Sequence, residues 1–200
     1  MRLSPPPLLI TTAAICVCLP QVTRYDRMVT ATNSAAPADG IAPGPLELVQ
    51  SFANTLGAAA GDLLATREQA VSWLRGARLM PADAVVTGSE HAALLRLRDA
   101  LRDALAAHSA GNPDADAAAR LTRGLADGRL VTTMTPDGAV KLATAARSVY
   151  PSIVAAIAVA IAESDAAGTW PHLALCQDPD CGTAFYGESP ARHCSAHAVG

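Results

Sequence analysis

The chain has 200 residues, enough for one good core, or for one core with a small appendage. Half of its residues are hydrophobic, only 4% are aromatic, and Lys141 is the single lysine in an Ala-rich sequence, a balance that favours helix. The formal net charge of -3 has the wrong sign for a protein that coats nucleic acid by bulk charge, so only a local basic face is left for that role.

Leu8 to Leu19 form an apolar run behind Arg2. The run resembles a signal-peptide h-region and is too short to span a bilayer as a helix. No A-x-A site follows it; the next residues are Pro20, Gln21, Val22, Thr23 and Arg24. Bulky Ile15 and Val17 precede Cys16 and Cys18, which argues against a lipoprotein anchor. The preferred reading is a start at Met28. Residues 1–44 are then a disordered leader, since Thr30 to Pro45 is rich in Ala, Pro, Gly and Ser.

A helical domain is expected over residues 45–168. Pro45 opens its first helix, as proline does at a first turn. Leu46, Val49, Phe52, Ala53 and Leu56 follow at helical spacing, and Gly57 suits the stop. Thr66 and Gln69 form a capping box for a helix carrying Ala70, Val71, Trp73, Leu74 and Ala77, broken at Met80-Pro81. Ser89 caps the strongest helix, which runs to about His108 with Leu94, Leu97, Leu101 and Leu105 as one stripe. Arg96, Arg98, Asp99, Arg102 and Asp103 are its wet side, with Asp99 and Arg102 spaced to pair. Gly111-Asn112-Pro113 ends it. Asp114 to Ala126 is another helix, stopped by Asp127-Gly128. Leu130 to Thr135 and Ala139 to Thr144 flank Pro136-Asp137-Gly138 and read as a hairpin. A last helix, from about Ser148 to Ala166, is apolar on most sides through Ile153, Val154, Ile157, Val159, Ala160 and Ile161, as a central core helix is.

Residues 169–200 hold the three remaining cysteines, Cys176, Cys181 and Cys194. Clustered thiols with histidines nearby fit a metal site better than a disulfide framework; the alternative is three unconnected buried thiols. Zinc takes four N or S donors in a tetrahedron. Pro179 and Gly182 bend the loop between and after the first two cysteines so that both sulfurs can face one point. The stretch before Cys194 has room for a short strand and a return turn. Phe185 and Tyr186 supply what core so small a unit has, and zinc supplies the missing folding energy. His197 is the leading candidate for the fourth donor, since Cys194-x2-His197 matches common ligand spacing. His193 and His172 are poorer candidates, and His197 could instead be an exposed residue near the chain end. With no Cys-x-x-Cys pair, a redox dithiol is not expected.

The run Cys176-Gln-Asp-Pro-Asp-Cys181-Gly-Thr-Ala-Phe185-Tyr186, with Ser189 and Arg192-His193-Cys194-Ser195, resembles the CGNR zinc-finger family, whose helical partner is the ABATE domain. Phe52-Ala-Asn54-Thr55-Leu56 resembles that family's early Asn-Thr motif, and Ser72-Trp73-Leu74 and the Leu/Arg helix after Ser89 sit where the family has similar segments. The resemblance covers roughly Pro45 to Gly200. It implies a transcription regulator, stress-responsive, with a finger that touches DNA and a helical domain that senses or pairs. The family's fourth cysteine falls five residues after the third, in a Cys-Gly-Asn-Arg run; here that position is Val199, and the Asn, the Arg and the basic tail are missing. The resemblance therefore implies a degenerate, truncated finger.

From Trp170 onward Asp178, Asp180 and Glu188 face only Arg192, a net charge of -2. Three thiolates, a neutral His and Zn²⁺ add about another -1. Phosphate affinity comes from Lys and Arg, so such a finger repels a duplex. The remaining arginines, Arg96, Arg98, Arg102, Arg120, Arg123 and Arg129, read as an ordinary solvated face. The expectation is a mainly α protein of the regulator family, cytoplasmic, with a structural zinc site and weak or lost DNA binding. The alternative is a module for a small-molecule effector or a protein partner, in which the finger only stabilises the helical domain. No Ser/His/Asp constellation, phosphate loop or credible carboxylate pair suggests an enzyme, and no membrane partner is expected.

Overall fold

A computed structural model of the chain describes residues 40–57, 61–187 and 192–197. The apolar run Leu8 to Leu19, Cys16, Cys18, Met28, Ser189, Val199 and Gly200 lie outside the described residues. Among the described residues are five α-helices: α1 (Leu46–Ala53), α2 (Arg67–Gly76), α3 (Gly88–Ala110), α4 (Ala115–Ala126) and α5 (Val149–Ala166). Three antiparallel strand pairs join them: β1 (Leu56–Gly57) with β2 (Gly61–Asp62), β3 (Leu130–Met134) with β4 (Val140–Thr144), and β5 (Leu173–Leu175) with β6 (Ala184–Tyr186). The expected mainly helical class with a central hairpin is what the chain adopts.

Local chemistry sets most boundaries. The Thr66 hydroxyl accepts from the Gln69 amide, and the Gln69 side chain accepts from the Thr66 amide, so the capping box at α2 is complete. The box at α3 is built two residues earlier than expected, by Thr87 and Glu90 rather than by Ser89. Glu90 decides it, because only Thr87 stands three residues before an acid that can reach back. Helix α1 stops at Asn54 and not at Gly57, which instead pairs with Gly61 in β1–β2. Helix α2 stops at Gly76, well before Met80-Pro81, and Arg78 turns the chain with φ 58°.

Helix α3 is the axis of the fold, and Leu94, Leu97, Leu101 and Leu105 are all sealed from water as the spacing predicts. Each such leucine contributes roughly 1.5–3 kcal/mol of transfer free energy. Helix α5 lays Ile153, Val154, Ile157 and Ala160 into the same core. It is the described helix long and apolar enough to cross a bilayer, and it lies instead among α1, α4 and β4.

Two arginines of α3 do not lie on a wet side. Arg98 is 4% exposed and grips Asp62 of β2 through both guanidinium ends, at 2.5 and 3.1 Å. The Arg98 side chain holds the Asp62 carboxyl below the ordinary carboxylate range. Arg102 is half-buried and donates to three backbone carbonyls, with no ion pair to Asp99. The stripe explains both. Residues 94, 98, 101 and 105 follow i, i+4, i+7, i+11, so Arg98 belongs to the buried stripe and Arg102 flanks it. Long Arg stems can lie on apolar surface only if the head finds partners.

Candidate metal centre

The hairpin β5–β6 carries the site. Its pairs are Leu173 with Tyr186, Ala174 with Phe185 and Leu175 with Ala184. Alternation along the strands splits their side chains between two cores. Leu173 and Ala184 join the helical core, with Leu175 and Tyr186 packed against it. Ala174 and Phe185 form a second small core with Cys176 and Cys194, and Cys181 packs against it. Phe185 therefore serves the finger core as expected, whereas Tyr186, expected beside it, faces the helices.

Two knuckles follow from the loop chemistry. The ladder continues through Cys176, whose amide donates to the Thr183 carbonyl at 2.9 Å. Asp178 then builds an Asx turn, accepting from the Asp180 amide with its side chain and from the Cys181 amide with its carbonyl. Gly182 leaves this turn with φ 56°, in the left-handed region glycine tolerates. The second knuckle lies beside the first because the Gln177 amide donates to the Arg192 carbonyl at 2.9 Å. A tight turn then brings the His197 amide to the Cys194 carbonyl, also at 2.9 Å.

The knuckles bring Cys176, Cys181, Cys194 and His197 together, with one donor atom of each within 4.8 Å of all the others. Cys181 Sγ lies 3.8 Å from Cys194 Sγ; His197 Nδ1 lies 3.8 Å from Cys176 Sγ and 3.3 Å from Cys194 Sγ. A tetrahedral ion with metal–sulfur bonds of about 2.3 Å and a metal–nitrogen bond of about 2.0 Å needs edges of roughly 3.5–3.8 Å. The observed separations are close to those edges, so these four residues can hold a metal ion. His197 is half-buried and turned into the cluster. His193 is exposed, and His172 is engaged elsewhere, its Nδ1 bonded to the Gly187 carbonyl and its ring set against Tyr186.

Burial pushes the Cys181 thiol up, but the side chain and backbone N–H of Thr183, with Cys176 and Cys194, stabilise its thiolate and bring it down to about 7. Burial pushes the Cys194 thiol up despite the Ala196 amide that points at it. Amides aimed at sulfur steady a thiolate before an ion arrives, and a donor set of three thiols and an imidazole is one zinc accepts.

Residues outside the finger hold it in place. The Asn54 side chain donates to the Ala184 carbonyl at 2.8 Å and accepts from the Ala184 amide at 2.7 Å. Gln50 donates to the carbonyls of Ala184 and Gly40 and accepts from the Ala42 amide. The Tyr186 amide donates to the Gly40 carbonyl, so the segment before α1 lies along the outer edge of β6. On the other side, His108 Nδ1 reaches the Leu173 carbonyl at 2.9 Å and the Leu175 amide donates to Ser109 Oγ at 2.8 Å. Arg102 completes the cradle by donating to the Gly182 carbonyl at 2.8 Å. Arg102 was visible in principle from its place beside the leucine stripe. Asn54 and Ser109 had no local signal of this role, since their partners lie far along the chain.

Of the arginines considered for DNA, Arg98 and Arg102 are thus occupied within the fold, and Arg120 pairs with Asp103 at 2.9 Å. Arg96, Arg123 and Arg129 are exposed. A family profile described as "ABATE: Putative stress-induced transcription regulator" matches residues 46–168, more than half of the chain, and stops before the first of the clustered cysteines. No curated protein matches the chain.

Proposed function

Because the chain belongs to the ABATE family, we propose that it is a transcription-regulator-type protein whose Cys176, Cys181, Cys194 and His197 hold one structural zinc ion, with little or no affinity of its own for duplex DNA. The observation that carries the metal part is the gathering of four donor atoms that suit zinc within 4.8 Å of one another, with separations of 3.8, 3.8 and 3.3 Å for three of the pairs. Four protein donors fill a tetrahedron and leave no position for a substrate water, which is the arrangement of a structural rather than a catalytic site. A bound zinc would cross-link the two knuckles and supply folding free energy to a small core of five side chains.

Charge supports the DNA part. The sequence from Trp170 onward carries a net charge of -2, and duplex affinity needs cations that displace counterions from phosphate. Two of the six candidate arginines are spent on the fold and a third is paired. On this reading the helical domain meets a protein or small-molecule partner and the finger braces it. Free thiolates suit a reducing compartment such as the cytoplasm.

The test has two parts. Protein purified under reducing conditions and dialysed should retain one zinc per chain by elemental analysis; none retained overturns the metal assignment. The same protein should pass through a duplex-DNA column at low salt. Retention that falls steeply as salt rises overturns the DNA part and leaves the metal part standing.

A further inference from the structure

We infer that Arg102 is a positioning residue for the metal centre, through which an ion held at Cys181 is energetically linked to helix α1. The inference rests on the zinc reading above and adds a residue outside the ligand set. Arg102 leaves the middle of α3 and meets three carbonyls at once. Its Nη1 donates to Ala53, the last residue of α1, at 2.9 Å and to Leu56 of β1 at 2.8 Å. Its Nη2 donates to Gly182 at 2.8 Å, the residue that follows Cys181.

The geometry leaves little slack. A guanidinium is planar and its donors are fixed relative to one another, so α1 and the knuckle must both be in register for all three bonds to form. Gly182 is constrained twice over. Its backbone is left-handed, and a Cβ there would stand 2.9 Å from Arg102 Nη2. The turn that offers the Gly182 carbonyl to Arg102 is the same turn that aims Cys181 into the cluster. From α1, Asn54 grips Ala184 two residues further on. An ion that fixes Cys181 therefore pre-orders the carbonyl Arg102 needs, and Arg102 pre-orders the loop the ion needs. Such coupling is reciprocal by thermodynamic necessity.

Arg98 is the control. It lies one helical turn away on α3, is more deeply buried, and bonds Asp62 instead of the knuckle. The experiment measures zinc affinity by competition with a chromophoric chelator, and thermal midpoints with and without zinc, for the wild type, Arg102→Ala, Arg102→Lys and Arg98→Ala. Arg102→Ala should bind zinc about 10- to 100-fold more weakly, while its cobalt-substituted form keeps the wild-type absorption bands because the ligands are unchanged. Arg102→Lys should fall between, since one ammonium cannot meet three carbonyls. Arg98→Ala should lower both midpoints alike and leave zinc affinity unchanged. Should Arg102→Ala fail to fold, Gly182→Ala crowds the same contact from the surface side and should weaken zinc binding in the same range. Zinc bound as tightly by Arg102→Ala, or by Gly182→Ala in its place, as by the wild type overturns the linkage alone. A wild type that takes up no zinc overturns the zinc reading and the linkage with it.

Discussion

Two hairpins among the described residues, β3–β4 and β5–β6, are built by opposite means. β3–β4 has five cross-strand pairs and a turn written into its own sequence: the Thr135 amide donates to the Ala139 carbonyl and the Gly138 amide to the Thr135 carbonyl, both at 2.9 Å. Met134 and Val140 at its tip are 74% and 63% exposed, so little beyond the ladder and the turn supports that end. β5–β6 has three pairs and is covered on both faces, Leu173 and Ala184 toward the helices, Ala174 and Phe185 toward the cysteines. A ladder that short is not stable alone. It is held by Asn54, Gln50, Arg102, His108 and Ser109 from α1 and α3, and by the proposed ion. Local turn chemistry supports the first hairpin; the second rests on tertiary bonds and, on the proposed reading, on a metal ion.

The largest expected effect comes from removing the ion. Treatment of the reduced protein with a strong zinc chelator should lower hydrogen-exchange protection at the Ala174 and Ala184 amides by at least ~100-fold, since structural zinc contributes many kcal/mol to such units. Protection in β3–β4, at the Val131 and Thr133 amides of the hydrogen-bonded pairs for instance, should hardly change. Equal loss in both hairpins would show that they do not differ in support.

Next comes Asn54→Ala, which leaves the amide of Ala184, itself 1% exposed, without its acceptor. An orphaned buried donor costs about 2 kcal/mol, and urea unfolding should show that loss at unchanged slope. Gly138→Ala acts on the other hairpin. With φ 87° at the turn, a side chain costs about 1 kcal/mol, and zinc affinity should stay at the wild-type value. Smallest of all, Met134→Thr and Val140→Thr should each move stability by no more than about 0.5 kcal/mol, as exposed positions do. A larger loss from either would mean that the hairpin tip is covered in solution.

Elements whose cause is local were legible in the sequence. The Thr66 box, the Pro-Asp-Gly turn and the leucine stripe each rest on residues within about one or two turns of each other, and each stands where its spacing puts it. The four clustered donors were legible too, because Cys176 and Cys181 form one knuckle and Cys194 and His197 the other. What spacing could not carry was the pairing of charge and amide across long loops. Arg98 finds Asp62 at a separation of 36 residues, Arg102 finds Gly182 at 80, and Asn54 finds Ala184 at 130. Read locally, an arginine beside an aspartate on a helix belongs to water; here the buried stripe and distant carbonyls take it inside. Ser89 misled for the reverse reason: its hydroxyl can cap, but Glu90 completes the box with Thr87.

On the proposed reading three sulfurs and one imidazole nitrogen share a single ion. X-ray absorption at the zinc edge on the purified, reduced protein tests it directly. One zinc per chain is expected, with about three sulfur neighbours near 2.3 Å and one nitrogen near 2.0 Å. A shell dominated by oxygen or nitrogen, a shell of four sulfurs, or a protein without stoichiometric zinc would contradict it.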